Sequence, residues 1–140
     1  MHDQPSQAKA AQLQAELQQF IGDLQRYRHP LNQRVLYTPG VKYLADEAGA
    51  YWLIDTIASW IGSHLFNEAV QRDQRLQTLQ FWKLAVDLQE HKAVLTAVAD
   101  SGEPAFITQQ IGFTDFPLAE QTLYAGFDGR YWTIYLPSEH

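Results

Sequence analysis

The chain changes its hydrophobic rhythm once, near residue 80. Before that point apolar side chains recur in steps of three and four, and after it they alternate. Steps of three and four keep side chains on one face of a helix, and steps of two keep them on one face of a strand. The first helical stretch is Gln7 to Arg28, with Leu13, Leu17, Phe20, Ile21, Leu24 and Tyr27 on one side. Gln12, Gln14, Glu16, Gln18 and Gln19 fill the other side, and Met1 to Ser6 read as a loose tail. His29-Pro30 ends the helix, because proline disfavours helical backbone in the residue before it. Apart from Glu16 the outer face is uncharged glutamine where a coiled coil wants charges, so packing on the rest of the chain is favoured over a coiled coil.

Val35-Leu36-Tyr37 reads as a short extended segment, and Thr38-Pro39 reads as a helix start. A threonine hydroxyl accepts a free backbone N–H at that position, and proline suits the first helical residue. Val41, Leu44, Ala45 and Ala48 form the apolar face of this second helix, and Gly49 sits where a left-handed terminator belongs. Lys42 and Asp46, four residues apart, can pair on the other side. A third helix runs from Ala50 to about Ile61, with Leu53, Ile54, Ile57, Trp60 and Ile61 inward. Tyr51, Trp52, Asp55 and Ser59 fall on its other side. Ser63 to Leu79 is ambiguous, with room for one helical turn around Asn67 to Arg72.

From Gln80 onward, Trp82, Leu84, Val86 and Leu88 alternate with Phe81, Lys83, Ala85 and Asp87 as a strand with one buried face. Lys92 to Ala99 and Ala105 to Phe113 are the next two strands, and Asp115 is placed to cap a single helical turn between Thr114 and Leu118. Gln121 to Phe127 and Arg130 to Leu136 form a hairpin over Asp128-Gly129, a two-residue turn signal. Short links imply antiparallel neighbours. The expected fold is therefore α+β: about three N-terminal helices on one face of a mainly antiparallel sheet of about five strands. Residues 7–140 are expected to form one domain, with its core in residues 37–140 and the 7–29 helix at its periphery.

Composition narrows function without selecting one. The chain has 140 residues, a formal charge of −6 and no cysteine. The absence of cysteine removes disulfides, thiolate catalysis and Cys-ligated metals. The acidic balance opposes broad nucleic-acid binding, which depends on Lys and Arg facing phosphate. A local basic strip of Arg26, Arg28, Arg34 and Lys42 is the one feature that would favour it. The aromatic run Phe127, Tyr131, Trp132 and Tyr135, with Tyr124, lacks interleaved cations and reads as core and cross-strand pairing rather than a base-stacking sheet. The N-terminus lacks the basic start and apolar stretch of a signal peptide, and the most apolar helical stretch, Ala50 to Ile61, is too short to span a bilayer, so a cytoplasmic protein without membrane contact is expected.

Catalytic motifs are absent: there is no GxGxxG, no GxxxxGK[ST] and no GxSxG. His2, His29, His64, His91 and His140 show no metal-ligand spacing, and neither a metal nor another cofactor is expected. His64 would fall on an apolar face if the third helix continued past Gly62. Asp55 draws notice as the only charge between Ala50 and Ser63. With Tyr51, Trp52 and Ser59 it makes an aromatic-polar patch of the kind that anchors a partner. The plainer alternative has Trp52 packed under another element and Asp55 bonded to a neighbouring hydroxyl or to Lys42.

The segments Gly40-Val41-Lys42-Tyr43-Leu44-Ala45 and Ala48-Gly49-Ala50-Tyr51-Trp52-Leu53-Ile54-Asp55 resemble the opening of a family of small bacterial proteins of unknown function. Phe81-Trp82-Lys83-Leu84, Thr114-Asp115-Phe116-Pro117-Leu118 and Leu136-Pro137-Ser138-Glu139 are similar to that family's later blocks, in the same order. The resemblance covers about Tyr37 to the C-terminus and transfers no activity. It implies a bacterial source and marks Lys42, Tyr51, Trp52, Asp55, Asp115 and Glu139 as the candidate binding residues. Two expectations of function remain. The first is a non-enzymatic protein-interaction or self-associating module. The alternative is a small-molecule-binding domain or small enzyme using Asp55, Asp115 or Glu139 as a carboxylate in a helix–sheet pocket, with Tyr37 or Lys42 orienting.

Overall fold

The computed structural model describes residues 3–22 and 25–140. The described elements are α1 (Asp3–Leu17), β1 (Tyr27–Arg28), β2 (Val35–Tyr37), α2 (Pro39–Ala48), α3 (Tyr51–Trp60), α4 (His64–Arg72), β3 (Leu79–Asp87), β4 (Lys92–Val98), β5 (Ile107–Ile111), β6 (Glu120–Phe127) and β7 (Trp132–Tyr135). Short 3-10 turns cover Gln74–Gln77 and Pro137–Glu139.

The architecture is α+β, with four helices where about three were expected. The sheet has seven strands in the order β1-β2-β7-β6-β3-β4-β5, where about five were expected. Every neighbouring pair is antiparallel except β2 and β7, which run parallel with Val35 opposite Trp132. The sheet is therefore mixed. β1 has only two residues, too few for an alternation to register. The β2–β7 pair joins residues far apart in sequence, where connection length says nothing about direction.

Register explains the core. Trp82 lies opposite Ala97 and Leu123, and Leu84 lies opposite Leu95. Ala125 lies opposite Ile134. All of these are buried, and they share one cluster with Leu13 and Leu17 of α1, Val41 and Leu44 of α2, Leu53, Ile54 and Ile57 of α3, and Phe66 of α4. The helices thus cover one face of the sheet. The other face carries Phe81, Tyr124 and Tyr135 in edge-on pairs and stays half-exposed. Trp82 brings a polar handle into the core: its indole N–H donates to Gln80 Oε1, and the Gln80 amide donates to the Leu76 carbonyl. A buried polar group costs little when it is paired in this way.

α2 forms as its sequence dictates. The Thr38 hydroxyl accepts the Val41 N–H at 3.3 Å, Pro39 opens the helix, and Gly49 closes it at φ 60°. In α3, Leu53, Ile54 and Ile57 are buried, as is Ile61 just after the helix, while Trp60 is half-buried and donates its indole N–H to Gln109 Oε1 at 2.6 Å. Several expectations are corrected. The first helix ends at Leu17 rather than Arg28: Gly22 adopts φ 98°, and the Leu17 carbonyl is taken by the Ser138 hydroxyl. Phe20 turns onto the Tyr43 ring, Ile21 is exposed, and Tyr27 belongs to β1, while Leu24 lies outside the described residues. The ambiguous stretch holds a full helix, α4, capped by the Ser63 hydroxyl on Phe66 N–H. His64 is solvent-exposed there and faces Glu68, not an apolar face. Leu88 is exposed, because β3 ends at Asp87. Asp115 caps no helical turn; the Thr114 hydroxyl accepts the Phe116 N–H instead. The last hairpin has a four-residue loop, Asp128 to Tyr131, because Phe127 pairs with Trp132.

Candidate functional site

α2 and α3 meet at Gly49, and β1 and β2 lie beside them. Lys42 Nζ sits 2.8 Å from Asp46 Oδ2, one helical turn away. Tyr51, the first residue of α3, reaches back and donates its hydroxyl to Asp46 Oδ1 at 2.5 Å. From the sheet edge come Tyr27 and Tyr37, opposite each other in the β1–β2 register and stacked with ring centroids 5.6 Å apart. The Lys42 ammonium lies 5.6 Å from the centre of the Tyr27 ring, a cation–π distance. Tyr27, Tyr37, Lys42, Asp46 and Tyr51 thus make one surface patch drawn from four elements.

Its electrostatics follow from those contacts. The hydrogen bonds from Lys42 and Tyr51 hold the Asp46 carboxyl below the usual carboxylate range. The same bond to Asp46 pushes Lys42 and Tyr51 up. Burial pushes the Tyr37 phenol up; the Lys42 charge opposes this, and Asp46 and Asp55 add to it.

Asp55 borders this patch with its own partner. Its carboxylate accepts from His29 Nε2 at 2.7 Å. His29 is buried, and its Nδ1 accepts the backbone N–H groups of Leu31 and Asn32. A ring nitrogen accepting two N–H bonds carries no hydrogen, so Nε2–H is the donor to Asp55. Both ring nitrogens are committed. Sequence reasoning paired Asp55 with a hydroxyl or Lys42 and missed His29. The signal was available only as a histidine before a proline, which reads as a helix stop.

Glu139 lies elsewhere, at the start of α2. Its carboxylate accepts from the Thr38 hydroxyl at 2.6 Å, the Leu136 N–H at 2.9 Å and the Gly40 N–H at 3.3 Å. A carboxylate at a helix N-terminus also meets the positive end of the helix dipole. Gly40 is required beneath it: a Cβ there would lie 2.7 Å from Leu136 Cδ1 and 2.8 Å from the Glu139 carboxyl carbon. Asp115 is on the rim of a groove of about 580 Å³ near the other end of α2, with Lys9, Glu16, Tyr43 and Glu47. Its neighbours Phe116 and Leu118 are buried, so the segment anchors a loop and leaves Asp115 outside. Trp52 is half-buried against the core. Of the six candidates the fold gathers Lys42, Tyr51 and Asp55, and it separates Glu139 and Asp115 by the ten-residue length of α2.

Among the described residues, no group of three or more His, Asp or Glu side chains is arranged to hold a metal ion. No helix among them is long and apolar enough to cross a membrane. The molecule is thus an α+β protein with one helix-covered sheet face and a tyrosine-rich polar patch where two helices meet the sheet edge. A model of a family of unknown function (DUF6876) matches residues 11–140, and the chain belongs to that family. No curated protein and no solved structure matches it.

Proposed function

We propose that the protein is a non-enzymatic protein-interaction module whose recognition surface is the patch of Tyr27, Tyr37, Lys42, Asp46 and Tyr51, bordered by Trp52 and Asp55. The observation that carries this reading is the convergence of three tyrosines around one exposed ion pair. Tyrosine presents a large apolar ring and a polar tip at small cost in side-chain entropy, which suits a partner surface. The placement of Asp46 supports it further. A carboxylate in the last turn of a helix opposes the helix dipole, so within the chain only its exposed Lys42 and Tyr51 contacts favour it there, each worth little. A partner facing Lys42, Asp46 and Tyr51 supplies a further reason.

A catalytic role has less support. Asp55, Asp115 and Glu139 stand with three different sets of neighbours, and the His29 ring has no nitrogen left to take a proton from a substrate. The same reading places the protein in the bacterial cytoplasm, bound to protein rather than to nucleic acid or membrane. The test is the Tyr27→Ala/Tyr51→Ala double variant, run beside wild type in sedimentation analysis and in pull-downs from bacterial lysate. A dimer or a stoichiometric partner, lost in the variant while its circular dichroism is unchanged, supports the module. A wild-type protein that stays monomeric and captures nothing overturns it.

A further inference from the structure

The described cations are partnered unequally. Lys42, Arg72, Arg75 and Lys83 each lie against a carboxylate. Arg28, Arg34 and Arg130 form no ion pair among the described residues, yet they line one pocket of about 450 Å³ together with Tyr131. Three separate segments deliver them: β1, the turn before β2, and the β6–β7 loop. Lys42, which the sequence grouped with Arg28 and Arg34, belongs instead to the tyrosine patch.

Both loops are held in place. In the turn before β2, Asn32 Oδ1 accepts the Arg34 N–H, and the Asn32 amide donates to the carbonyls of Ala58 and Ile61 at the end of α3. In the β6–β7 loop, Asp128 Oδ1 accepts the N–H groups of Arg130 and Tyr131. The Trp132 N–H donates to the Arg34 carbonyl at 2.8 Å and ties the two loops together. The Arg28 and Arg130 guanidinium carbons lie 5.6 and 5.1 Å from the centre of the Tyr131 ring, so the ring orients both. Arg28, Arg34 and Arg130 are exposed, and the Asp128 carboxylate beside Arg130 offsets one charge of the three, so the pocket is a local positive site on a protein of net charge −6 and attracts an anion.

We propose that this pocket binds a small phosphomonoester through Arg28, Arg34 and Arg130. Guanidinium forks match phosphate oxygens in planar, paired hydrogen bonds, and three forks suit the three terminal oxygens of a monoester. Three positive charges, less the nearby Asp128 carboxylate, leave two, which a dianion balances and a carboxylate does not. The volume falls within the range of small-ligand sites, so the pocket has space for the organic part as well.

Calorimetric titration of the full chain with phenyl phosphate, inorganic phosphate, benzoate and a single-stranded oligonucleotide without a terminal phosphate tests this. Phenyl phosphate is expected to bind at least tenfold tighter than benzoate and tighter than inorganic phosphate. Arg34→Ala and Arg130→Ala are each expected to weaken it tenfold or more, with Arg34→Lys intermediate and Arg72→Ala without effect. Absence of phenyl phosphate binding overturns the proposal. Binding that stays at the wild-type level in folded Arg34→Ala and Arg130→Ala also overturns it. Oligonucleotide binding tighter than that of the monoester would reassign the pocket to a nucleic-acid backbone and overturn it too.

Discussion

At the start of α2 the Glu139 carboxylate accepts three hydrogen bonds, from Thr38, Gly40 and Leu136. Near the end of the same helix the Asp46 carboxylate accepts from Lys42 and Tyr51, both at the surface. Both acids belong to α2's polar frame, and both are paired. The difference lies in what depends on them. Glu139 connects the C-terminal turn to a helix start and leaves no room at Gly40 for a side chain. Asp46 connects only exposed side chains that solvent would satisfy equally well. The number of hydrogen bonds alone does not separate a structural clasp from a recognition surface. Access to water does, because an exposed pair gains little over its hydrated parts.

Breaking the clasp is expected to have the largest effect. Gly40→Ala should destabilise the fold by about 1–3 kcal/mol in urea unfolding, because overpacking near a buried Leu136 outweighs alanine's helix preference. Glu139→Ala should cost about 1–2 kcal/mol, as it leaves the Thr38, Gly40 and Leu136 donors without their acceptor. The cost of Gly40→Ala should shrink when Glu139→Ala is already present, since the carboxyl group is part of the clash; additive costs would show that the two sites are independent.

Changes at the patch should move binding and not the fold. Tyr51→Phe and Lys42→Ala should leave the thermal midpoint near that of wild type and reduce partner capture; a large midpoint shift would make the patch structural. The smallest effect is one of pH. Asp46 is held below its ordinary range in the folded state, so its contribution to stability is present above that range and is lost as pH falls through the lowered value. The urea midpoints of wild type and Asp46→Asn should therefore converge as the solution is acidified from neutral. A gap that widens instead would contradict the sign.

The helices on α2 and α3 and the strands β3 and β4 were legible from the chain because local patterns decide them. The Thr38-Pro39 start, the Gly49 stop and the period-two run after residue 80 each act within a few residues of where they are read. The early end of α1 was legible in principle at Gly22, but the long apolar periodicity concealed it. The candidate residues divided in the same way: Lys42–Asp46 follows from helical spacing alone. The partnerships of Glu139 with Gly40, Asp55 with His29, and Arg130 with Arg28 and Arg34 span separations for which sequence has no period.

The sequence by itself determined the α+β class, the change from helices to strands, the caps of α2 and the face of α3 that turns inward, because backbone hydrogen bonding and side-chain periodicity are local. Only the tertiary structure decided that β2 runs parallel to β7, that Glu139 is a clasp while Asp46 is a surface group, and that three arginines share one pocket. Those outcomes depend on which distant segments exclude water from one another, and packing settles that over the whole chain at once.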